Sequence, residues 1–526
     1  MTHRSNTDVL IVGAGPVGLT LALLLARRGR TVALYERWAS AYPLPRAAAM
    51  SHETVRTCQS AGVLDRLRPY LDLELEAQSA HSYTPDGEIL MTMTFPGVGE
   101  SGYPPMTGFH QPEVDRVLGE ACDAEPLISV HRGWSATALD QHDDHVEVTF
   151  APVTGDAPRA GDEVVARAKY VVGCDGANST IRSLLDVEVT DTGFAESWLV
   201  VDTVPQGGFK VRIPFGTLLD PARPTLLAPS GRGRQRFEFM VIEGDDPDAL
   251  VEQPAVMKLL EFWDVKPANI KLERRAIYTF RGRWADDWRS GRVLLAGDAA
   301  HQMPPFMGQG LNSGVRDSLA LAWRLDQVLG GQATPAILDS YTTERLPHVK
   351  QIVESSVMIG QMVCMTDPVA AEQRNNMLRV MRENPAMAPP QPEWRLGPGI
   401  FAADDPAAGF LAQQALVEQD GKTALLDDLI GVGHFVLLGN GSDPLSDLSE
   451  TARTAWRSIG GIGVTIGADG LRDVSGAYAA WFAKLGASVV LVRPDFQVFG
   501  ASANITDADR LVSLLFEFLQ PGGQAQ

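Results

Sequence analysis

Apolar and polar positions divide this chain into segments of two periods. Val9 to Val12 is an unbroken apolar, β-branched-rich run, the pattern of a strand buried on both faces. A helical apolar pattern follows to Arg27 and Arg28 and stops at Gly29, a natural C-cap, before a second strand from Thr31 to Tyr35. A loop (Ala39 to Arg46), a helix (about Ser51 to Leu71) and a strand-and-loop region (Ala77 to Phe109) come next. QPEVDRVLGEACD, from Gln111, reads as an amphipathic helix with Pro112 in its first turn. Strands are expected at His145 to Phe150 and Glu163 to Val172. Between Ser197 and Phe280 the runs WLVVDTV, KVRIPF, PTLLAP, RFEFMVIE and AIYTF alternate with Gly/Pro-rich turns, predicting a mostly antiparallel sheet inserted in the chain. RVLLAGD (Arg292 to Asp298) is another buried strand, and a helix starting near Gly310 to Asn312 keeps its spacing through Leu329, ending at Gly330-Gly331. Helix resumes from Pro347 to Met362, and the five-proline stretch Pro385 to Pro398 reads as a linker. Beyond it Leu425–Leu438, Val464–Ile466, Ser488–Val492 and Leu511–Leu519 predict a small α/β unit, with the last six residues frayed. GGIGVTIG at 460–467 is read as loop, and there are no internal repeats.

The first strand runs straight into Gly13, Gly15 and Gly18 in GxGxxG spacing, and the second delivers Glu36. Strand, tight turn, helix, strand and terminal acid together form a dinucleotide-binding fingerprint. Gly13 permits the turn, Gly15 lets a pyrophosphate approach the backbone, and Gly18 lets helix and strand pack closely. The helix N-terminus faces the phosphates with partial positive charge, and Glu36 accepts hydrogen bonds from a ribose diol. A second GxGxxG is missing, so a nicotinamide cofactor has no Rossmann domain of its own and must bind transiently in a shared groove.

Composition narrows the partners. At 526 residues the chain exceeds one simple domain, and its formal charge of −20 argues against nucleic acid and anionic membrane. Cys58, Cys122, Cys174 and Cys364 lack metal or disulfide spacing, so no metal site is expected. Cys174 reads as a small core hydrophobe. The polar start MTHRSNT has no signal-peptide core, and Pro16 to Ala26 is too short to cross a bilayer, which leaves a reducing cytoplasm as the expected location.

Three stretches, GAGPVG at 13–18, GCDGANSTIR at 173–182 and GDAAHQMPPFMGQGLN at 297–312, stand in an order and separation that closely resemble the class A flavin-dependent aromatic hydroxylases of the p-hydroxybenzoate hydroxylase type. LDDLIGVGHFVLL and VVLVRPDFQVFG resemble the thioredoxin-like C-terminal domain of phenol-hydroxylase relatives. LGPGIFAADDPAAGF followed by LLDDLIG is similar to the 3-(3-hydroxyphenyl)propionate hydroxylase branch.

The resemblance implies an α/β fold: a Rossmann-like FAD-binding domain (1–195 and 284–384), an inserted β-sheet substrate domain (196–283), a linker (385–399) and a thioredoxin-like unit (400–526). It implies non-covalent FAD, NADH or NADPH as transient co-substrate, O2, and a small phenolic substrate hydroxylated through a flavin hydroperoxide. Besides the fingerprint residues and Arg37, it assigns Arg46, Gln111, Asp175, Gly176 and Asp298 to the cofactor. Pro305, Gly308, Gly310, Leu311 and Asn312 join them at the flavin edge, where Gly308 to Asn312 opens a helix toward the pyrimidine ring. His301 is expected as a structural turn residue near the ring system, and Met303 and Met307 as packing.

Substrate would lie between the flavin and the inner face of the inserted sheet, with Pro305, Phe306 and Arg212 as substrate-side candidates. No residue stands out as the base that activates a phenol, and Arg212, which could bind a substrate carboxylate, reads rather as a solvated strand residue. Substrate is expected to accelerate flavin reduction. No cysteine follows Cys364, so thiol chemistry is impossible in the C-terminal unit, whose implied role is packing or homodimerisation. Three other readings remain open: polyketide hydroxylation or epoxidation, a plain flavin oxidase or dehydrogenase, and a flavin-binding redox sensor.

Overall fold

The apolar run before the first glycine becomes the centre of a parallel sheet. The computed structural model describes residues 7–40, 46–73, 79–95, 97–154, 157–159, 161–387, 393–467 and 469–520. The expectations for the polar start, for 41–45 of the first loop, for 388–392 of the proline-rich stretch and for the last six residues lie outside these. Thr7–Val12 pairs in parallel with Val32–Glu36 on one side and Val164–Gly173 on the other. Ile128–Arg132 and Val293–Leu295 extend the parallel set at its two edges. Val9, Leu10 and Ile11 are fully buried because helices cover the sheet. The helix Pro16–Ala26 touches the long helix Gly310–Leu329 so closely that Ser318 Oγ donates to the Val17 carbonyl at 2.9 Å.

The inserted sheet has eight strands and is antiparallel except where Gly216–Leu218 meets Ser79–Tyr83. Its backbone is the pair Val189–Pro205 and Ile270–Ala285, continued by Gln235–Met240 and Thr225–Pro229. Side chains alternate between two buried faces. Leu199, Val201, Phe237 and Phe239 pack with Trp263 on the outer side. Trp198 and Met240 lie on the inner side in the cluster that reaches Phe306.

The C-terminal unit is a four-stranded mixed sheet in the order Ile462–Ile466, Val436–Asn440, Val489–Val492, Val498–Ser502. Its closing helix Ala508–Leu519 buries Leu511, Val512, Leu515 and Leu519.

Four local expectations change. KVRIPF is not a strand: 212–215 form a bend, and Val211 and Ile213 pack on the outer-face cluster. Alternating apolar residues can pack in this way without a partner strand, and Pro214 offers no donor for one. The segment read as loop at 460–467 contains the strand Ile462–Ile466, held parallel to Val436–Asn440; its glycines only obscured the β-branched pattern. The helix expected from Ser51 breaks after Ser60 at Gly62, whose φ is +73°, and resumes at Leu64. The helix placed at Pro347 instead begins at Asp339 and runs through that proline to Val363.

A buried ionic cluster fastens the C-terminal unit to the two long helices. Glu344 accepts from Arg324 Nη2 at 2.6 Å, Arg493 Nη1 and Nη2 at 3.0 and 2.8 Å, and the Ile400 amide at 2.8 Å. Asp495 accepts from Trp323 Nε1 at 2.9 Å and from Arg493 Nε at 3.0 Å. Glu344, Arg324 and Arg493 have fully buried side chains. Removing one partner from such a cluster leaves desolvated charge behind, at about 3–5 kcal/mol. Glu344→Gln should therefore lower the urea midpoint markedly, and an unchanged midpoint would show the cluster to be energetically idle.

Candidate active site

The carboxyl ends of the parallel strands carry the sequence motifs into one crevice, where ligands of open α/β sheets are bound. Gly13 has φ of +108°, and a Cβ there would sit 2.3 Å from the Cys174 carbonyl oxygen. That close approach brings the GAGPVG turn against the start of the Asp175-Gly176 turn. A Cβ on Gly18 would meet the Gly13 carbonyl at 2.1 Å, so helix and strand touch through glycine backbone. Gly15 is the opposite case: a Cβ on it would meet nothing within 4 Å, and it N-caps the helix without any side-chain cap. The open space and unclaimed amides at this helix start fit a pyrophosphate.

Glu36 accepts from the Ala14 amide at 2.7 Å and the Trp38 amide at 2.8 Å, which fixes its carboxylate beside the turn. Arg37 follows on the surface, its guanidinium 4.8 Å from the Trp38 ring centroid. Asp175 uses both oxygens locally, accepting from Ser179 Oγ and from the Thr180 and Ile181 amides at 2.7 and 3.1 Å. Gly176 turns the chain with φ of +81°. Arg182 then ties this turn to the third motif, donating to the Ala299 carbonyl at 2.8 Å and the Ala177 carbonyl at 2.9 Å.

Asp298, in the turn Gly297–Ala299, is reachable from the crevice yet hemmed in by protein. Desolvation raises its pKa against the pull of His301 and Arg46. Among the described residues no donor satisfies its carboxyl, which suits it to ribityl or ribose hydroxyls. The helix Gly310–Leu329 has neither a side-chain cap nor an acid in its first turn, so its positive end stays available. Gly308 leads into it with φ of +63° and its amide donates to the Pro305 carbonyl at 2.8 Å. Leu311 is half-buried in the first turn. Asn312 staples the motif to the rest of the domain: its Oδ1 accepts from the Ser51 amide at 2.9 Å and Thr54 Oγ1 at 2.7 Å, and its Nδ2 donates to the Gly308 carbonyl at 2.8 Å.

Gln111 holds the loop at Arg46, accepting from the Arg46 and Ala47 amides at 2.8 and 2.7 Å and donating to Asp115 Oδ2 at 3.2 Å. Asp115 is buried, and desolvation pushes its pKa to about 7 against the hydrogen bond from Gln111 and the charge of Arg46. Phe306 stands between the crevice and the inserted sheet, its ring 5.6 Å from Trp198 and 6.2 Å from Phe194. Pro305 opens the short turn that carries it.

Arg212 does not join this assembly. It is exposed, and its chain neighbours pack on the sheet face opposite Phe306. His301 is a core residue in a short strand, with Nε2 2.7 Å from Asp317 Oδ2. Met303 and Phe306 are packed against the main core, and Cys174 is buried with its thiol pKa pushed up. His142, His145 and Glu147, away from the crevice, group on a surface hairpin with their ligand atoms within 4.8 Å of one another, the two imidazoles stacked 12° from parallel.

Sequence reading missed the charged groups on the inner sheet face. Asp202 pairs with Arg236 at 2.7 Å and Arg274 at 3.4 Å, and Arg236 Nη1 donates to the Arg46 carbonyl at 2.7 Å. Glu238 lies two residues along the same strand. The only available signal was charge at alternate positions of QRFEFM, which also describes a solvated strand face.

Residues 6–356 match the family described as FAD binding domain, and 409–517 match the HcaD C-terminal domain. The chain belongs to the FAD-dependent monooxygenases. A probable NADH-specific resorcinol 4-hydroxylase of Rhodococcus jostii is 35% identical over 98% of this chain and 96% of its own length. A 3-(3-hydroxyphenyl)propionate/3-hydroxycinnamic acid hydroxylase of a Mycobacterium species is 32% identical over 94% of this chain and 89% of its own. The crystal structure of the flavin-dependent monooxygenase PieE with FAD and substrate superposes at a TM-score of 0.82, covering 98% of this chain and 99% of that one at 23% identity. Aklavinone-11 hydroxylase with FAD and aklavinone gives 0.76, covering 98% and 100% at 24% identity. Both share the fold. FAD is thus the cofactor, and the open Gly15, the unsatisfied Asp298 and the uncapped helix at Gly310 fit it. Among the described residues no helix of this monooxygenase is long and apolar enough to cross a membrane.

Gly15→Val should fill the open space and yield largely flavin-free protein by absorbance, and full flavin content would remove the pyrophosphate from this turn. Asp115 supplies a pH test. An acid whose folded pKa exceeds its unfolded value of about 3.9 costs stability increasingly as pH rises through that window, here up to about 7. Asp115→Asn should therefore raise the melting temperature more at pH 8 than at pH 5, and a gain independent of pH would contradict the raised value.

Proposed function

We propose that this monooxygenase hydroxylates a small phenolic ring, using FAD, O2 and a nicotinamide dinucleotide. The observation that carries the reading is the facing pair of surfaces: the crevice at the Gly310 helix on one side, and the Trp198–Met240 face of the inserted sheet on the other, with Phe306 between them. The two relatives named above, a resorcinol and a hydroxyphenylpropionate hydroxylase, support the substrate class, and the first supports NADH. Relatives of this kind do not favour a polyketide-tailoring role, a plain oxidase or a redox sensor.

Bound FAD supplies the redox and oxygen-activating chemistry. The chain's own residues bind and orient it: Gly13 to Gly18, Glu36 and Arg37 would hold the adenosine half, with Arg46 beside the phosphates. Asp298 would hold the ribityl chain. The helix start at Gly310, Leu311 and Asn312 would stabilise negative charge on the pyrimidine edge. Gln111 and Asp115 set the Arg46 loop, while Asp175 and Gly176 shape the groove shared with the nicotinamide. Pro305, Phe306 and Trp198 exclude water from the reacting face.

The C-terminal unit fits a thioredoxin-like scaffold without cysteines, serving packing. A homodimer contact belongs to the same proposal, because Met358, Val369, Met377 and Val380 leave apolar surface exposed; light scattering on the holoenzyme decides it.

A panel of phenols should stimulate NADH oxidation by the purified yellow protein and yield products heavier by one oxygen in mass spectrometry. Stimulated NADH oxidation that yields only hydrogen peroxide with every phenol would remove the hydroxylase reading.

A further inference from the structure

The inner face of the inserted sheet carries more unsatisfied polar capacity than its outer face. Strand register stacks three rungs on it: Trp198 beside Met240 and Tyr278, Val200 beside Glu238 and Ala276, and Asp202 beside Arg236 and Arg274. The first rung touches Phe306, and the third is bonded to the Arg46 carbonyl through Arg236. Glu238 occupies the middle rung, between the two elements that border the flavin crevice.

Glu238 is 4% exposed, and among the described residues no hydrogen bond reaches its carboxyl; Arg236 Nη1 approaches only to 3.8 Å. The Trp198 indole N–H, one rung away, has only the Cys364 thiol beside it, and Arg274 Nε finds no partner among the described residues. Buried polar groups are ordinarily satisfied, so adjacent unsatisfied groups on one face mark where a polar ligand completes the bonding. Diagonal neighbours in a sheet lie about 7–8 Å apart, within reach of aromatic and long side chains. A hydroxyl placed there can donate to Glu238 and accept from Trp198.

Charge decides what else can enter. Arg236 gives Nε and Nη2 to Asp202 and Nη1 to a carbonyl, and Arg274 Nη1 also faces Asp202. Asp202 and Glu238 both lie against Arg236, and Asp202 also pairs with Arg274, so the two arginines already face protein carboxylates rather than a substrate carboxylate. A second acid beside Glu238 would place two desolvated carboxyls together, which is costly.

We propose that Glu238 is the specificity-determining residue of the substrate site, accepting a hydrogen bond from a ring hydroxyl of an uncharged phenol or 1,3-diol and disfavouring carboxylated phenols. This rests on the aromatic hydroxylase reading. The test compares resorcinol with 3-(3-hydroxyphenyl)propionate on wild-type holoenzyme and on Glu238→Gln, with FAD content as the check on folding. Wild type should prefer resorcinol in kcat/KM. Glu238→Gln should raise KM for resorcinol at least tenfold and shift the preference toward the acid by a similar factor.

Unchanged KM and preference in a flavin-loaded variant would overturn the assignment while leaving the hydroxylase reading intact. Wild type that hydroxylates no phenol brings down both. Should the variant lose FAD, binding to wild type decides, followed by perturbation of the flavin spectrum. Resorcinol should bind at least tenfold more tightly than 3-hydroxybenzoate, and equal or tighter binding of the acid would overturn the proposal.

Discussion

One buried carboxylate organises the crevice. Asp317, fully buried in the long helix that starts at Gly310, accepts from the Gly297 amide at 3.0 Å and from Arg345 Nε at 2.9 Å, with His301 Nε2 at 2.7 Å. These contacts come from the turn that holds Asp298, from the helix Asp339–Val363 and from the short strand after the turn. Their combined effect keeps its pKa below the ordinary value although desolvation opposes it. The turn bearing Asp298 and the helix that starts at Gly310 are therefore held by the same ion. Without it, the third motif would be a loop between two elements with nothing to fix their spacing.

The inserted sheet contributes through its two-sidedness. A sheet with one wet face would expose Asp202, Arg236, Glu238 and Arg274 to solvent, where charge carries little energy. Here Gln235–Met240 is buried at every position. The outer face is filled by aromatic side chains from Phe237, Phe239 and Trp263, and the inner face keeps charge beside the flavin crevice. A single strand thus serves as aromatic core on one side and carries buried charge on the other.

How much of this was legible follows from how local each signal is. Gly13, Gly18 and Glu36 could be read directly, because each answers a local backbone constraint: a positive φ, the Gly13 carbonyl and the Ala14 amide. The sheet was legible from period-two runs, except at KVRIPF, where tertiary packing rather than pairing engages Val211 and Ile213. Gln111 and Asn312, assigned by resemblance to the cofactor, also have a structural part that no local pattern shows: their side chains fasten Arg46, Ser51 and Gly308. Sequence showed where those residues cluster but not which of their atoms were already taken. Glu238 was invisible for a related reason: alternation cannot distinguish a wet face from one covered by another domain.

The ionic cluster around Glu344 has a consequence for how such proteins change over time. Its members come from three separated stretches: Arg324 in one helix, Glu344 in the next, and Arg493 with Asp495 beyond the proline-rich segment. The C-terminal unit cannot then be exchanged freely between relatives as a portable module. A chimera inherits half of the charge set and must acquire the matching half at once. Each end constrains the other's sequence through a junction far from the chemistry.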